Sequence, residues 1–201
     1  MTATTQTILR RIYWLGFALA IGVPGLYMRA AENAASTGAS PVTDEIERGR
    51  YLVTVAGCKD CHTALTVGPN GPEPDMSRML AGRPASLEMP PAPELPDGPW
   101  IVTVSATNTA WPGPWGVSHT ANLTPDRVTG LGKWTTRTFT DTIQTGRHLG
   151  RGRPILPPMP IPMYKNFTDA DLDAIFSYLQ SVPPISNRVP EPLAPKAAPG
   201  Q

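Results

Sequence analysis

The sequence contains few of the residues that build metal clusters or disulfide scaffolds: two cysteines and three histidines in 201 residues. A structural zinc site takes four ligands, usually in two close pairs. Cys58 and Cys61 supply one pair, but His119 and His148 stand alone and far apart. A disulfide between the two cysteines would close a very small loop and constrain little of the chain. Both a zinc fold and a disulfide-stabilised fold are therefore disfavoured.

Charge of either sign is also scarce. Charged residues make up 16% of the chain and the formal net charge is +1, which argues against a nucleic-acid partner. Proline is the exception, with 25 residues against a usual share of about 5%. Much of the chain is therefore predicted to be loop or extended, and its length suits one domain with appendages.

The chemistry-bearing motif that is present is C-x-x-C-H, formed by Cys58, Cys61 and His62. Two thiols one helical turn apart can each add to a vinyl group of one porphyrin, and the adjacent histidine can then bind the iron. A thioredoxin-like dithiol would need a βαβ setting and would not use the histidine. The motif predicts one covalently attached haem c.

A second ligand to the iron is suggested by "RPILPPMPIPMY", residues 153–164. Met159 lies between Pro158 and Pro160, and proline restricts both its own φ and the residue before it. Such a rigid loop suits a weak thioether ligand that must be held in one place. On the residues alone, Met163, His119 and His148 remain alternatives.

The N-terminal segment 1–29 predicts a membrane anchor, with a cleaved signal peptide as the alternative. Arg10 and Arg11 precede an uncharged, mostly apolar run from Ile12 to Met28, which is near the lower limit for spanning a bilayer. The arginines would stay cytoplasmic and send the rest outwards. The predicted location is the bacterial cytoplasmic membrane with the haem domain in the periplasm, or the soluble periplasm after cleavage.

Beyond this segment the pattern predicts a flexible linker at 30–42, a haem domain at 43–185 and a proline-rich tail at 186–201, extended or disordered. Thr43 is the predicted cap of a first helix that runs into Cys58. A second helix is predicted within 135–146, ending at Gly146. Thr168 and Asp171 form the capping box of a last apolar-striped helix.

These features together resemble class I cytochromes c, a mainly α fold of helices and long loops around one haem. The closer resemblance is to the cytochrome domains of membrane-bound bacterial alcohol and aldehyde dehydrogenase cytochrome subunits. It covers residues 43–185 and is carried by "LAGRP", "NLTPDRVTGLGKW" and "PPMPIPMYKNFTDADLDAIFSYLQSVPP". The chain departs from that pattern in having one haem motif and an insertion at 85–120. Within the insertion, "WIVTVSATNT" predicts a short β-hairpin strand.

The resemblance implies roles for individual residues. Met159, in P-x-M-P, becomes the sixth iron ligand, and Met163 becomes a packing residue beside the haem edge. The carbonyl of Pro69 is expected to accept the second ring N–H of His62. An arginine cluster could pair with haem propionates or dock an acidic partner, with solvated side chains as the alternative: Arg147, Arg151 and Arg153.

Histidine and methionine would fill both axial positions of the iron and leave no open site for substrate. The predicted function is therefore one-electron transfer between a respiratory donor complex or dehydrogenase and an oxidase or other acceptor, without catalysis by the chain itself. The alternative is a haem enzyme, or a sensor of a gas or peroxide, in which a labile methionine opens the iron.

Overall fold

The computed structural model describes residues 40–94 and 98–195. They form five α-helices and two β-hairpins, in agreement with the predicted mainly helical class. The helices are α1 Pro41–Val55, α2 Cys58–His62, α3 Thr136–Thr145, α4 Ile161–Tyr164 and α5 Asp169–Ser181; the strands are β1 Leu65–Gly68, β2 Gly71–Pro74, β3 Ala110–Gly113 and β4 Gly116–His119.

The predicted anchor at 1–29 and nearly all of the predicted linker at 30–42 lie outside the described residues, as does the predicted tail beyond 195. Within the described ranges, none of the helices has the length and apolar character needed to cross a bilayer.

Helix α1 crosses α5 at a glycine. A Cβ atom on Gly49 would lie 1.9 Å from the carbonyl oxygen of Ala174 and 2.8 Å from Cβ of Tyr178, so only a residue without a side chain permits this approach. An ion pair between Arg48 and Asp171 joins the same helices. Helix α1 begins at Pro41, where proline is favourable because the first helical N–H groups need no partner. The prediction of Thr43 as the cap was therefore wrong, because the helix begins two residues before Thr43.

The ends of α3 and α5 follow the sequence signals. Thr135 caps α3 by accepting a hydrogen bond from the backbone N–H of Thr138, and Gly146 ends the helix with φ 70°. Thr168 and Asp171 form the predicted capping box of α5. Both predictions are confirmed, because these helix ends depend on local chemistry.

The insertion forms a hairpin, but not from the predicted residues. Residues 100–109 contain no strand, and Trp100 is 75% exposed. The Ser105 hydroxyl accepts hydrogen bonds from the N–H groups of Thr109 and Ala110, and Asn108 has φ 57°. The backbone N–H groups of Thr103 and Ser105 donate to the carbonyls of Pro112 at 3.2 Å and Ala110 at 2.9 Å, so this segment lies along β3 without becoming a strand. The regular antiparallel pair is β3 with β4. The prediction of a strand in "WIVTVSATNT" was therefore wrong.

The segment after α5 is extended as far as residue 195 and is held at two points. Its backbone pairs with β4 through Leu193, which exchanges hydrogen bonds of 2.9 and 3.0 Å with Val117. Asn187 is only 3% exposed. Of the two predicted states of the tail, the extended one therefore holds for its described part.

Candidate cofactor site

A cavity of about 490 Å³ lies between the helices and the methionine loop. Side chains from α3, α5 and the loop before α3 give it an apolar wall: Leu131, Phe139, Ile143, Leu172, Ile175 and Leu179. Cys58, Cys61, His62 and Met159 line the same cavity. A cavity of this size and character suits a large, mostly apolar cofactor.

The two thiols enter the cavity from α2. Gly57, with φ 70°, lets the chain turn between α1 and α2, a conformation that favours glycine. Burial raises the pKa of Cys58 to about 11, although a hydrogen bond with Tyr164 opposes this shift. Burial, and next the charge of Asp60, raise the pKa of Cys61. Both residues are therefore protonated thiols at neutral pH.

His62 is held in one orientation at the end of α2. Its Nδ1 lies 2.8 Å from the carbonyl oxygen of Ala121, which can only accept a hydrogen bond, so the ring proton belongs on Nδ1. Burial lowers the pKa of His62, and the bond to Ala121 only partly offsets this. The ring is therefore neutral near pH 7, with a free lone pair on Nε2. That is the form of histidine that binds a metal.

The acceptor for His62 was predicted to be Pro69, and this was wrong. Pro69 is exposed and lies in the turn between β1 and β2, where Gly68 pairs with Gly71. The hairpin therefore carries the Pro69 carbonyl out to its tip, and the segment after β4 supplies the carbonyl of Ala121 instead.

The methionine loop brings only one of its two methionines to the cavity. Met159 is half-buried, packs against the core and lines the cavity. The hydroxyl of Ser118, on β4, donates a hydrogen bond of 2.6 Å to the carbonyl of Pro157 and so fastens the loop. Met163, on α4, is 59% exposed and is not among the cavity residues. Its predicted packing role beside the cofactor was wrong.

The three arginines of the predicted cluster differ in their contacts, and only one of them lines the cavity. Arg153 lines the cavity, and its Nε lies 3.4 Å from a carboxylate oxygen of Glu191. Arg147 instead donates to the carbonyl of Gly152 at 2.9 Å, and Arg151 is exposed; neither lines the cavity. Sequence reasoning missed Arg188, which does line it.

Two polar groups of the second hairpin also face the cavity and point to a bound acceptor. Trp111 Nε1 and His119 Nδ1 are buried, and neither has a hydrogen-bond partner within the described part of the chain. Burial, followed by the charge of Arg83, lowers the pKa of His119. Buried polar groups are normally satisfied, so an acidic group in the cavity would complete this side. Together with the thiols and His62, these residues fit a haem, whose carboxylates can accept such bonds. No sequence motif marked Trp111, because it lies in the insertion.

No family model matches the chain. Comparison with curated proteins finds the fructose dehydrogenase cytochrome subunit of Gluconobacter japonicus, 26% identical over 82% of this chain and 27% of the relative. It also finds the alcohol dehydrogenase (quinone) cytochrome c subunit of Gluconobacter oxydans, 27% identical over 79% of this chain and 27% of the relative. The chain is thus similar to the cytochrome c subunits of dehydrogenases.

The similarity to dehydrogenase cytochrome subunits confirms the resemblance that the sequence motifs predicted. A nicotinate dehydrogenase subunit of Pseudomonas putida is a further relative, 25% identical over 90% of this chain but 13% of its own length. The chain thus spans roughly a quarter or less of the length of these curated relatives.

Proposed function

We propose that this protein is a one-electron carrier holding a single haem c, attached at Cys58 and Cys61, with His62 and Met159 as the axial ligands. One observation carries the proposal. A single cavity is lined by both thiols, by an oriented neutral histidine and by a thioether from a loop distant in sequence. The dehydrogenase cytochrome subunits found as relatives support the same cofactor class.

The chain's own residues explain why a carrier is favoured over a catalyst. When bound, the haem supplies a one-electron couple. His62 is held by Ala121, and Met159 lies in a proline-restricted loop fastened at Pro157. Filling both axial positions leaves no site for substrate, and a thioether ligand raises the reduction potential. The apolar wall from α3 and α5 would give the haem an apolar contact surface.

The proposed partners are a dehydrogenase as electron donor and an oxidase or other acceptor. The proposed location is the periplasmic side of a bacterial membrane, with residues 1–29 as anchor or signal. Arg147 and Arg151 are exposed outside the cavity and would be available to dock an acidic partner, whereas Arg153 would act at the cavity itself.

The test is a pair of methionine variants of the haem-loaded protein. Met159→Ala should abolish the ferric methionine–haem charge-transfer band, lower the reduction potential and open the iron to carbon monoxide. Met163→Leu, the matched control at an exposed methionine of the same loop region, should leave all three at wild-type values.

Other results would redirect the proposal. Loss of the band only in Met163→Leu would reverse the ligand assignment. Rapid, complete binding of carbon monoxide to the reduced wild-type protein at neutral pH would favour the enzyme or sensor alternative. A haem that extracts from the denatured protein into acid acetone would contradict covalent attachment at Cys58 and Cys61.

A further inference from the structure

The carbonyl of Ala121 that faces His62 is held by an unusually complete set of buried bonds. On one side, the backbone of Thr120 donates to the carbonyl of Thr109 at 3.1 Å and accepts from the N–H of Arg83 at 3.0 Å. On the other side, Asn122 is 4% exposed. Its side-chain Nδ2 donates to the carbonyl of Ile185 at 2.8 Å. Residues on both sides of Ala121 are therefore fixed.

Gly82 lies directly against the same carbonyl. Its N–H donates to the carbonyl of His62 at 2.8 Å, so it touches the backbone of the histidine as well. A Cβ atom on Gly82 would lie 2.5 Å from the carbonyl oxygen of Ala121 and 2.4 Å from that of Thr120. These contacts are with backbone, which cannot swing away as a flexible side chain can. The backbone at Gly82 is thus packed between His62 and its acceptor.

Asn187 holds the backbone at Gly82 from the far end of the chain. Its Nδ2 donates to the carbonyls of Ala81 at 2.7 Å and Arg83 at 2.8 Å, on either side of Gly82. Its Oδ1 accepts from the N–H of Ala85 at 2.9 Å. One buried amide therefore makes three bonds to one short segment, which is close to all that an asparagine side chain can make.

We infer that Asn187 and Gly82 are positioning residues for the proximal ligand: through the backbone of 81–85 they set the direction of the Ala121 carbonyl, and so the orientation and basicity of the His62 ring. Neither residue lines the cavity, so each acts through Ala121. A stronger bond to Nδ1–H makes Nε2 a better donor and stabilises the oxidised metal. The segment after the last helix thereby tunes a ligand near the start of the domain. The inference rests on the proposed function.

The experiment uses the haem-loaded full chain and proton NMR of the His62 ring, together with the reduction potential. Asn187→Ala removes the amide, and Gly82→Ala pushes a methyl group into the Ala121 carbonyl. Both should move the hyperfine-shifted His62 signals, speed solvent exchange of Nδ1–H by about tenfold and raise the reduction potential. The Met159 charge-transfer band should remain in both variants.

Two control variants distinguish an effect on the orientation of His62 from a general loss of stability. Asn166 also donates from Nδ2 to two carbonyls, those of Pro162 and Met163, so Asn166→Ala removes an exposed amide with the same pattern of two bonds away from His62. Gly71 has φ 118° with nothing within 4 Å of an added Cβ, so Gly71→Ala adds backbone strain alone. Both controls should leave the His62 signals unchanged.

The outcomes separate the two proposals. If the wild-type protein shows no hyperfine-shifted signals from His62, the proposed ligation is wrong. If it shows them, and Asn187→Ala and Gly82→Ala only lower the free energy of unfolding without moving them, the positioning role is wrong. If the Asn187→Ala protein does not accumulate, the His62 signals of Gly82→Ala and Asn187→Ser test the same positioning role.

Discussion

Replacing Gly49 by alanine tests the crossing on which the helical frame depends. In an exposed helix, glycine to alanine stabilises by about 1 kcal/mol. Here the new Cβ would lie 1.9 Å from the carbonyl oxygen of Ala174 and would push α1 away from α5. Overpacking of this kind costs about 1–3 kcal/mol, and contact with a rigid backbone places the cost at the upper end. We therefore expect a net loss of about 2 kcal/mol in the free energy of unfolding.

The assay is denaturant unfolding of the haem-loaded protein, followed by far-ultraviolet circular dichroism. Thr43→Ala is the control in the same helix, because Thr43 is exposed and lies inside α1 rather than at its cap. It should stay within about 0.5 kcal/mol of wild type. A Gly49→Ala protein as stable as wild type, or more stable, would show that α1 and α5 do not approach as closely as described.

Two further predictions concern the helix cap and the methionine loop. The hydrogen bond from the Thr168 hydroxyl holds the pKa of Asp171 below its ordinary value; this bond therefore stabilises the fold above about pH 4 and is lost as the pH falls through the folded pKa. Asp171→Asn should reduce the decrease in the free energy of unfolding that accompanies acidification below about pH 4. Asp173→Asn, on the same helix, should leave that decrease unchanged. Ser118→Ala removes the bond to the Pro157 carbonyl and should cost about 1 kcal/mol. It should also lower the alkaline pH at which the charge-transfer band disappears, and an unchanged midpoint would show that this bond does not hold the loop.

Local signals in the sequence were sufficient for the helix ends, and the residues of the C-x-x-C-H motif lie together at one cavity as the motif predicts. The capping box at Thr168 and the glycine end at Gly146 are set by neighbours within one turn of helix, and C-x-x-C-H carries its chemistry in five residues. The acceptor of His62 was missed because it depends on tertiary structure. Ala121 has no side-chain feature that marks its carbonyl, and it reaches His62 only after the second hairpin has packed.

The structure of the insertion also depends on contacts that its local sequence pattern does not show. Alternation in "WIVTVSATNT" favours a strand, but the hydroxyl of Ser105 holds the chain in a turn. Thr103 and Ser105 each donate one backbone hydrogen bond to β3 without forming a regular strand. Trp111 could not be assigned to the site from sequence, and His119 was considered only as an alternative iron ligand, because the pairing of β3 with β4 is what brings both to the cavity.

The way Asn187 and Leu193 close the domain has a consequence for the order of folding. The bonds from Asn187 to Ala81 and Arg83 join residues 106 and 104 positions apart. Contacts of such long range form later than the local hydrogen bonds within a helix, because the entropy of closing the loop must be overcome first. Residues 188–192, which form part of the cavity wall, are bracketed by Asn187 and Leu193. We therefore expect that wall to be completed after the individual helices have formed, which leaves a side through which a rigid, planar cofactor can enter before the chain closes over it.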